Sequence, residues 1–206
     1  MIRAALVAAC LLVGCASAPI VVSLGDPARP ATYKEYFDEL KRWTRHGHLR
    51  SDFDEALDVD ATMRSPEFRD AYAAKYIEVY RIGAENQPHT RGEIMSDGAD
   101  AYEFHVETQT HDYALNDLTS AKTVWRLTLV DDQGHEVQPL RVVAGKVRRA
   151  LDEQFYPYVN VFSRGWTVRF PRARQDGSPL VGGDTKALTL RFAGPQGSVD
   201  LVWVLK

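Results

Sequence analysis

Downstream of Thr32 the apolar residues recur in two periods, one helical and one extended. Thr32 and Glu35 have the T-x-x-E spacing of a capping box, which satisfies the first free amides of a helix. Tyr33, Phe37 and Leu40 then share one face, with Tyr36 and Trp43 beside them. This predicts a helix over 33–45, ending near Gly47, whose apolar stripe docks on a core. Leu57, Val59, Ala61 and Met63 alternate with Asp58, Asp60 and Thr62, the period of a strand with one buried face. Ser65-Pro66-Glu67 starts a second helix over 66–82, with a capping serine followed by proline in the first turn. Phe68, Ala71, Tyr72, Val79 and Ile82 line its apolar side, and Gly83 supplies a stop.

The remainder is extended. Tyr102, Phe104 and Val106 alternate, as do Trp125, Leu127 and Leu129. Asp131-Asp132-Gln133-Gly134 marks a turn before a strand over 136–143. Trp166, Val168 and Phe170 alternate ahead of Pro171, and Leu188, Leu190 and Phe192 form another strand. Gly194-Pro195-Gln196-Gly197 then turns the chain into Val199, Leu201, Trp203 and Leu205. Segment 146–155 fits a short helix through Val147, Leu151 and Phe155, while the polar stretches 84–100 and 171–187 read as loops. The expected fold is α+β: an antiparallel sheet or sandwich of about seven strands, with two N-terminal amphipathic helices packed on one side.

The first residues have a different character. Met1-Ile2-Arg3 places one positive charge before the apolar run from Ala4 through Val13, the layout of a secretory signal peptide. The run is about half of the roughly 20 residues that span a bilayer. Leu12-Val13-Gly14-Cys15 resembles the lipobox of bacterial lipoproteins. The resemblance implies cleavage before Cys15 and lipid attachment to its thiol, with several acyl chains holding the product at a membrane. Ala16-Ser17-Ala18 also fits an A-x-A secretory cut, but Pro19 follows it directly and lacks an amide N–H. Ala16 after the lipid cysteine, by resemblance to the sorting rule of enteric bacteria, favours the outer over the inner membrane. The expected organisation is a signal peptide over 1–14, a lipidated Cys15 and tether over 15–31, and one globular domain over 32–206. Pro19, Pro27, Pro30, Gly25 and Asp26 mark the tether, where Ile20-Val21-Val22 alone has strand character.

Composition narrows the function. The chain has 206 residues, 45% hydrophobic and 26% charged, as expected for one domain with a full core. A net charge of −3 argues against a general nucleic-acid binder. Cys10 lies in the signal segment and Cys15 at the lipid site, which leaves the domain no thiol for a disulfide or thiolate zinc. The body resembles a set of proteobacterial lipoproteins to which no activity is assigned. Ser65-Pro66-Glu67-Phe68-Arg69 leading to Tyr72 and Tyr76, Tyr156-Pro157-Tyr158, and the stretch from Trp166 to Pro171 carry this likeness.

Three constellations offer chemistry. Asp58-Val59-Asp60-Ala61-Thr62 resembles the D-x-D-x-T opening of haloacid-dehalogenase-type phosphatases. That resemblance implies Asp58 as nucleophile, Asp60 as acid/base and Mg²⁺ between carboxylate and phosphate. The family's apolar parallel strand is missing, however, because Asp52, Asp54 and Glu55 precede the motif. His46-Gly47-His48 is an H-x-H pair that His105 and His111 could join around a metal ion, although histidine at a helix end is also favoured by the dipole. Charge is also uneven: residues 50–112 hold 15 acids against 6 Lys and Arg, whereas 141–174 is strongly basic. Arg164, Arg169, Arg172 and Arg174, interleaved with Trp166 and Phe170, form a candidate patch for an anion or partner, unless the two regions neutralise each other. The leading expectation is a non-enzymatic, lipid-anchored envelope protein without a cofactor. It would be tied to the membrane through Cys15 and contact an envelope protein or polymer. A lipid-anchored phosphohydrolase is the second reading and a periplasmic metal-binding protein the third.

Overall fold

The structure, a computed structural model, describes residues 18–51, 54–145 and 149–206. The expected signal segment and Cys15 lie outside the described residues. In chain order the elements begin with β1 (Val21–Val22), α1 (Tyr36–Trp43), β2 (Thr44–Ser51), β3 (Asp54–Met63), α2 (Pro66–Val79), α3 (Gln87–Ser96) and β4 (Ala101–Gln109). They continue with β5 (Arg126–Asp131), β6 (Glu136–Val137), β7 (Arg141–Ala144), α4 (Arg149–Phe155), β8 (Arg164–Pro171), β9 (Ala187–Gly194) and β10 (Gly197–Leu205). One sheet has the order β1-β10-β9-β5-β6 and the other β2-β3-β4-β8-β7. Every pairing is antiparallel except β1 with β10.

The apolar residues of each strand meet between the sheets. Leu57, Val59, Ala61 and Met63 of β3 are buried with Phe104 and Val106 of β4 and Trp166, Val168 and Phe170 of β8. Opposite stand Leu188, Leu190 and Phe192 of β9 and Leu201 and Trp203 of β10. The Phe104 and Trp203 rings lie 5.2 Å apart across the gap. Each such side chain contributes about 1.5–3 kcal/mol on burial. Trp203 Nε1 also donates to the carbonyl of Trp43 at 2.9 Å, which satisfies a free acceptor at the end of α1.

The two sheets close on each other where β2 meets β10. Arg45 Nε donates to the Val202 carbonyl at 2.7 Å. Two residues on, a Cβ at Gly47 would lie 2.4 Å from Val199 Cγ1 and 2.8 Å from Leu201 Cδ2. Gly47 is therefore a close-approach residue rather than a helix stop.

Several expectations need correction. The fold is α+β and rich in antiparallel pairs, but among the described residues ten strands in two sheets replace the single seven-strand sandwich, and four α-helices replace two. The first helix is a 3-10 turn over Tyr33–Glu35 followed by α1, and it gives way to β2 at Thr44. The expected capping box of Thr32 and Glu35 is present, with the Thr32 amide donating to Glu35 Oε2 at 2.8 Å. Val21–Val22 is a strand, and Val22 is buried, so that part of the tether belongs to the domain. The helix expected over 66–82 ends at Val79, and Arg81 takes the positive φ in place of Gly83. The strand over 136–143 is split by Pro139, with β6 in one sheet and β7 in the other. The stretch 84–100 contains α3, a helix with no buried residues. α3 is tied down by Arg91, which donates to Asp70 of α2 and, at 3.3 Å, to the Ala31 carbonyl.

Replacing Gly47 by alanine should cost about 1–3 kcal/mol, because the new methyl must displace Val199 at the join of the sheets. Urea unfolding measures this; an unchanged midpoint would mean that β2 and β10 do not approach so closely.

Candidate functional site

Register places the polar residues of β2, β3 and β4 in rows on the outer face of the second sheet. One row runs Thr44, Thr62, His105, Thr167 and Val143. The next runs His46, Asp60, Glu107 and Gly165. The helical layer and the 155–163 segment cover this face from His105 onward. Tyr156 stacks on the His105 ring at 3.8 Å between centroids, and the Tyr158 hydroxyl meets Thr62 Oγ1 at 2.6 Å. The Tyr158 ring lies 6.2 Å from that of His105, so both tyrosines of the Tyr-Pro-Tyr triplet face this strand. Around them the rings of Tyr36, Phe68, Tyr72 and Phe155 form a second apolar cluster, and Tyr36 donates its hydroxyl to the Phe155 carbonyl at 2.6 Å.

A cleft of about 450 Å³ opens beside this cluster, with Arg64, Tyr72, His105, Glu107, Tyr156 and Ser163 among its walls. Glu107 is buried over Gly165, where a Cβ would lie 2.4 Å from its Oε1. Ser163 Oγ donates to Glu107 Oε2 at 2.7 Å. His105 Nε2 lies 3.3 Å from Glu107 Oε1 but makes no hydrogen bond among the described residues. Glu107 therefore stands between serine and imidazole. In a nucleophilic triad the imidazole stands in the middle and takes the hydroxyl proton; that order is not built here. Burial pushes the Tyr72 phenol up to about 12, and moves Tyr156 and Tyr158 in the same direction. All three remain neutral hydroxyls at physiological pH.

One wall of the cleft rests on a buried ion cluster. The Glu103 side chain of β4 is 0% exposed. Arg64 Nη1 reaches its Oε1 at 2.8 Å, Arg69 Nη2 the same oxygen at 3.4 Å, and Arg169 its Oε2. Arg169 also pairs with Asp97 at 2.8 Å. Three guanidinium groups thus share two carboxylates, and Arg64 Nε and Arg69 Nη1 find no acceptor among the described residues. Burial and the like charge of Arg64 lower the Arg69 guanidinium to about 10. Arg64 extends over the Tyr72 ring, 5.4 Å from its centroid, into the cleft wall.

Of the candidate site residues singled out from the sequence, His105 and Arg164 line the cleft and the others fall elsewhere. His46 Nδ1 lies 3.2 Å from Asp60 and 3.5 Å from Asp58, so β2 and β3 do bring these three together. Burial raises the Asp60 carboxyl, and the neighbouring His46 opposes that shift. The His48 ring is 6.2 Å from that of His46. Among the described residues no group of three or more His, Cys, Asp or Glu side chains is placed to hold a metal ion. β3 is also antiparallel to both its neighbours, unlike the parallel strand of the phosphatase family. The arginine patch is dispersed. Arg164 donates to the Asn116 carbonyl at 3.0 Å and packs on Trp166, Arg169 belongs to the Glu103 cluster, and Arg172 lies over Tyr102. Arg174 Nε is buried without a partner among the described residues. The acidic and basic regions thus pair internally, most directly at Arg169. Arg64, Glu107 and Ser163 carried no motif. Tyr72, His105, Tyr156 and Arg164, each singled out in the sequence for another reason, are the ones that reach the cleft.

Glu103→Gln should destabilise the fold by about 3–5 kcal/mol, since it leaves the buried Arg69 and the largely covered Arg64 without their carboxylate. Asp97→Asn, at a side chain 58% exposed, should change stability by less than about 1 kcal/mol. Denaturant unfolding of both variants separates the two; equal effects would mean that the cluster is not the anchor of this face.

No family model matches the chain, and no curated protein does. Among solved structures the chain is similar to a novel protein of unknown function from Burkholderia pseudomallei, with 12% identity and a TM-score of 0.39 over 83% of this chain and 88% of that one. A likeness at that level carries no functional argument.

Proposed function

We propose that this chain is a lipid-anchored cell-envelope protein that acts by binding a partner molecule in the cleft beside His105 and Tyr156. The observation that carries the binding reading is the lining of that cleft. Buried polar groups lacking full hydrogen bonding stand beside aromatic rings, the usual composition of a small-molecule site. The Ser163–Glu107–His105 order supports binding over acyl transfer, because the hydroxyl proton is held by a carboxylate. The anchor rests on Leu12-Val13-Gly14-Cys15 and on the signal-like segment before it. Among the described residues no helix is long and apolar enough to cross a membrane. With lipid at Cys15 and Val22 fixed in the sheet, the connecting segment reaches at most roughly 20–25 Å. That holds the domain close to the bilayer surface.

Membrane fractionation of cells expressing the full chain tests the anchor. The wild-type protein should sediment with membranes and take up labelled fatty acid, whereas Cys15→Ala should do neither. Equal membrane recovery of both forms would remove the lipid anchor from this reading.

A further inference from the structure

We propose that the cleft binds a neutral saccharide; this rests on the binding reading above and names its ligand class. The first observation is charge balance. Among the described residues Arg64 and Arg164 face the cleft along with Glu107 and Asp152, so the lining holds two cations and two carboxylates. An anionic ligand meets the two carboxylates and a cationic one meets the two guanidinium groups, whereas a neutral ligand avoids both repulsions.

The second observation is the mixture of donors and acceptors. Arg64 Nε is a buried donor without an acceptor among the described residues, and His105 Nε2, 3.3 Å from Glu107 Oε1, is a buried ring nitrogen that also finds no hydrogen-bond partner there. Buried polar groups are rarely left in this state in a finished site. A hydroxyl is both donor and acceptor and can turn to suit either. A ligand bearing several hydroxyls close together meets both needs at once. Tyr72 and Tyr156, whose phenols are kept neutral by burial, extend the same type of contact.

The third observation is Tyr113, which stands at the cleft with 68% of its surface exposed. An aromatic ring presents a negative face. The C–H bonds of a sugar ring are polarised positive by the oxygens beside them, and they pack on such a face without hydrogen-bonding to it. Hydroxyl-directed groups inside and an aromatic platform at the entrance together suit a ring that is polar at its rim and apolar on its faces. The volume, about 450 Å³, lies within the range of small-molecule sites.

The test is calorimetric titration of the full chain in detergent micelles with N-acetylglucosamine tetrasaccharide, maltotetraose and inorganic phosphate. At least one sugar should bind with a Kd of about 0.1–1 mM, and phosphate should not. Tyr113→Ala and Glu107→Gln should each weaken that sugar at least about tenfold, a change of 1.4 kcal/mol. Tyr113 is exposed, so its variant keeps the fold, and circular dichroism checks the Glu107 variant. Failure of both sugars to bind at about 10 mM overturns the proposal, as does phosphate binding at the cleft or wild-type affinity in both variants. A photoreactive residue at position 113 separates this failure from that of the parent reading. Capture of a partner in cells without sugar binding leaves a binding protein for another ligand. No capture and no sugar binding sinks both.

Discussion

Glu103 sits without solvent on the outer face of β4, and a carboxylate in that position persists only where cations meet it. Arg64 follows directly after β3, Arg69 comes from the first turns of α2, and Arg169 lies across from Glu103 on β8. One buried charge thus fixes the start of α2 against two strands at once. The aromatic cluster follows from that placement, since Phe68 and Tyr72 are carried on α2 and meet Phe155 and Tyr156. The cleft is what remains between this helical layer and the sheet where the covering segment bends away at Asn160 and Ser163.

Legibility in the sequence followed burial. Strands with one apolar face and one wet face, such as the region around Leu57 to Met63 and the run from Trp166 to Phe170, could be read from period two alone. β2 could not, because its inward positions are Arg45, Gly47 and Leu49, and only one of these is apolar. Gly47 has to be small for the sheets to meet there, and a glycine beside histidines imitates a helix end. α3 was hidden for the opposite reason. It buries nothing, so its helical form depends on contacts with α2 and the Arg91–Asp70 pair instead of an apolar stripe.

The site was harder to read than the fold for a related reason. Its residues come from the residue after β3, α2, β4, α4 and the segment before β8, and within one short stretch only His105 and Glu107 stand together. Asp58 and Asp60 formed a compact motif, yet their strand lies in an antiparallel neighbourhood that offers them His46 and no metal partner. Glu107 had no motif at all, and its setting is visible only through Gly165, which lies opposite on β8 and leaves room for the carboxylate. The acidic and basic halves of the chain, suggestive of a docking surface when counted along the sequence, are partly folded onto each other through Arg169.

The parallel pairing of Val21 and Val22 with Val204 and Leu205 joins the first described strand to the last residues of the chain. A polypeptide delivered N-terminus first has β1 at hand long before its partner exists. The pairing of β1 therefore waits for β10, as does that of β9, so this sheet is completed late in synthesis. Loss of the final few residues would release the beginning of the chain together with its end.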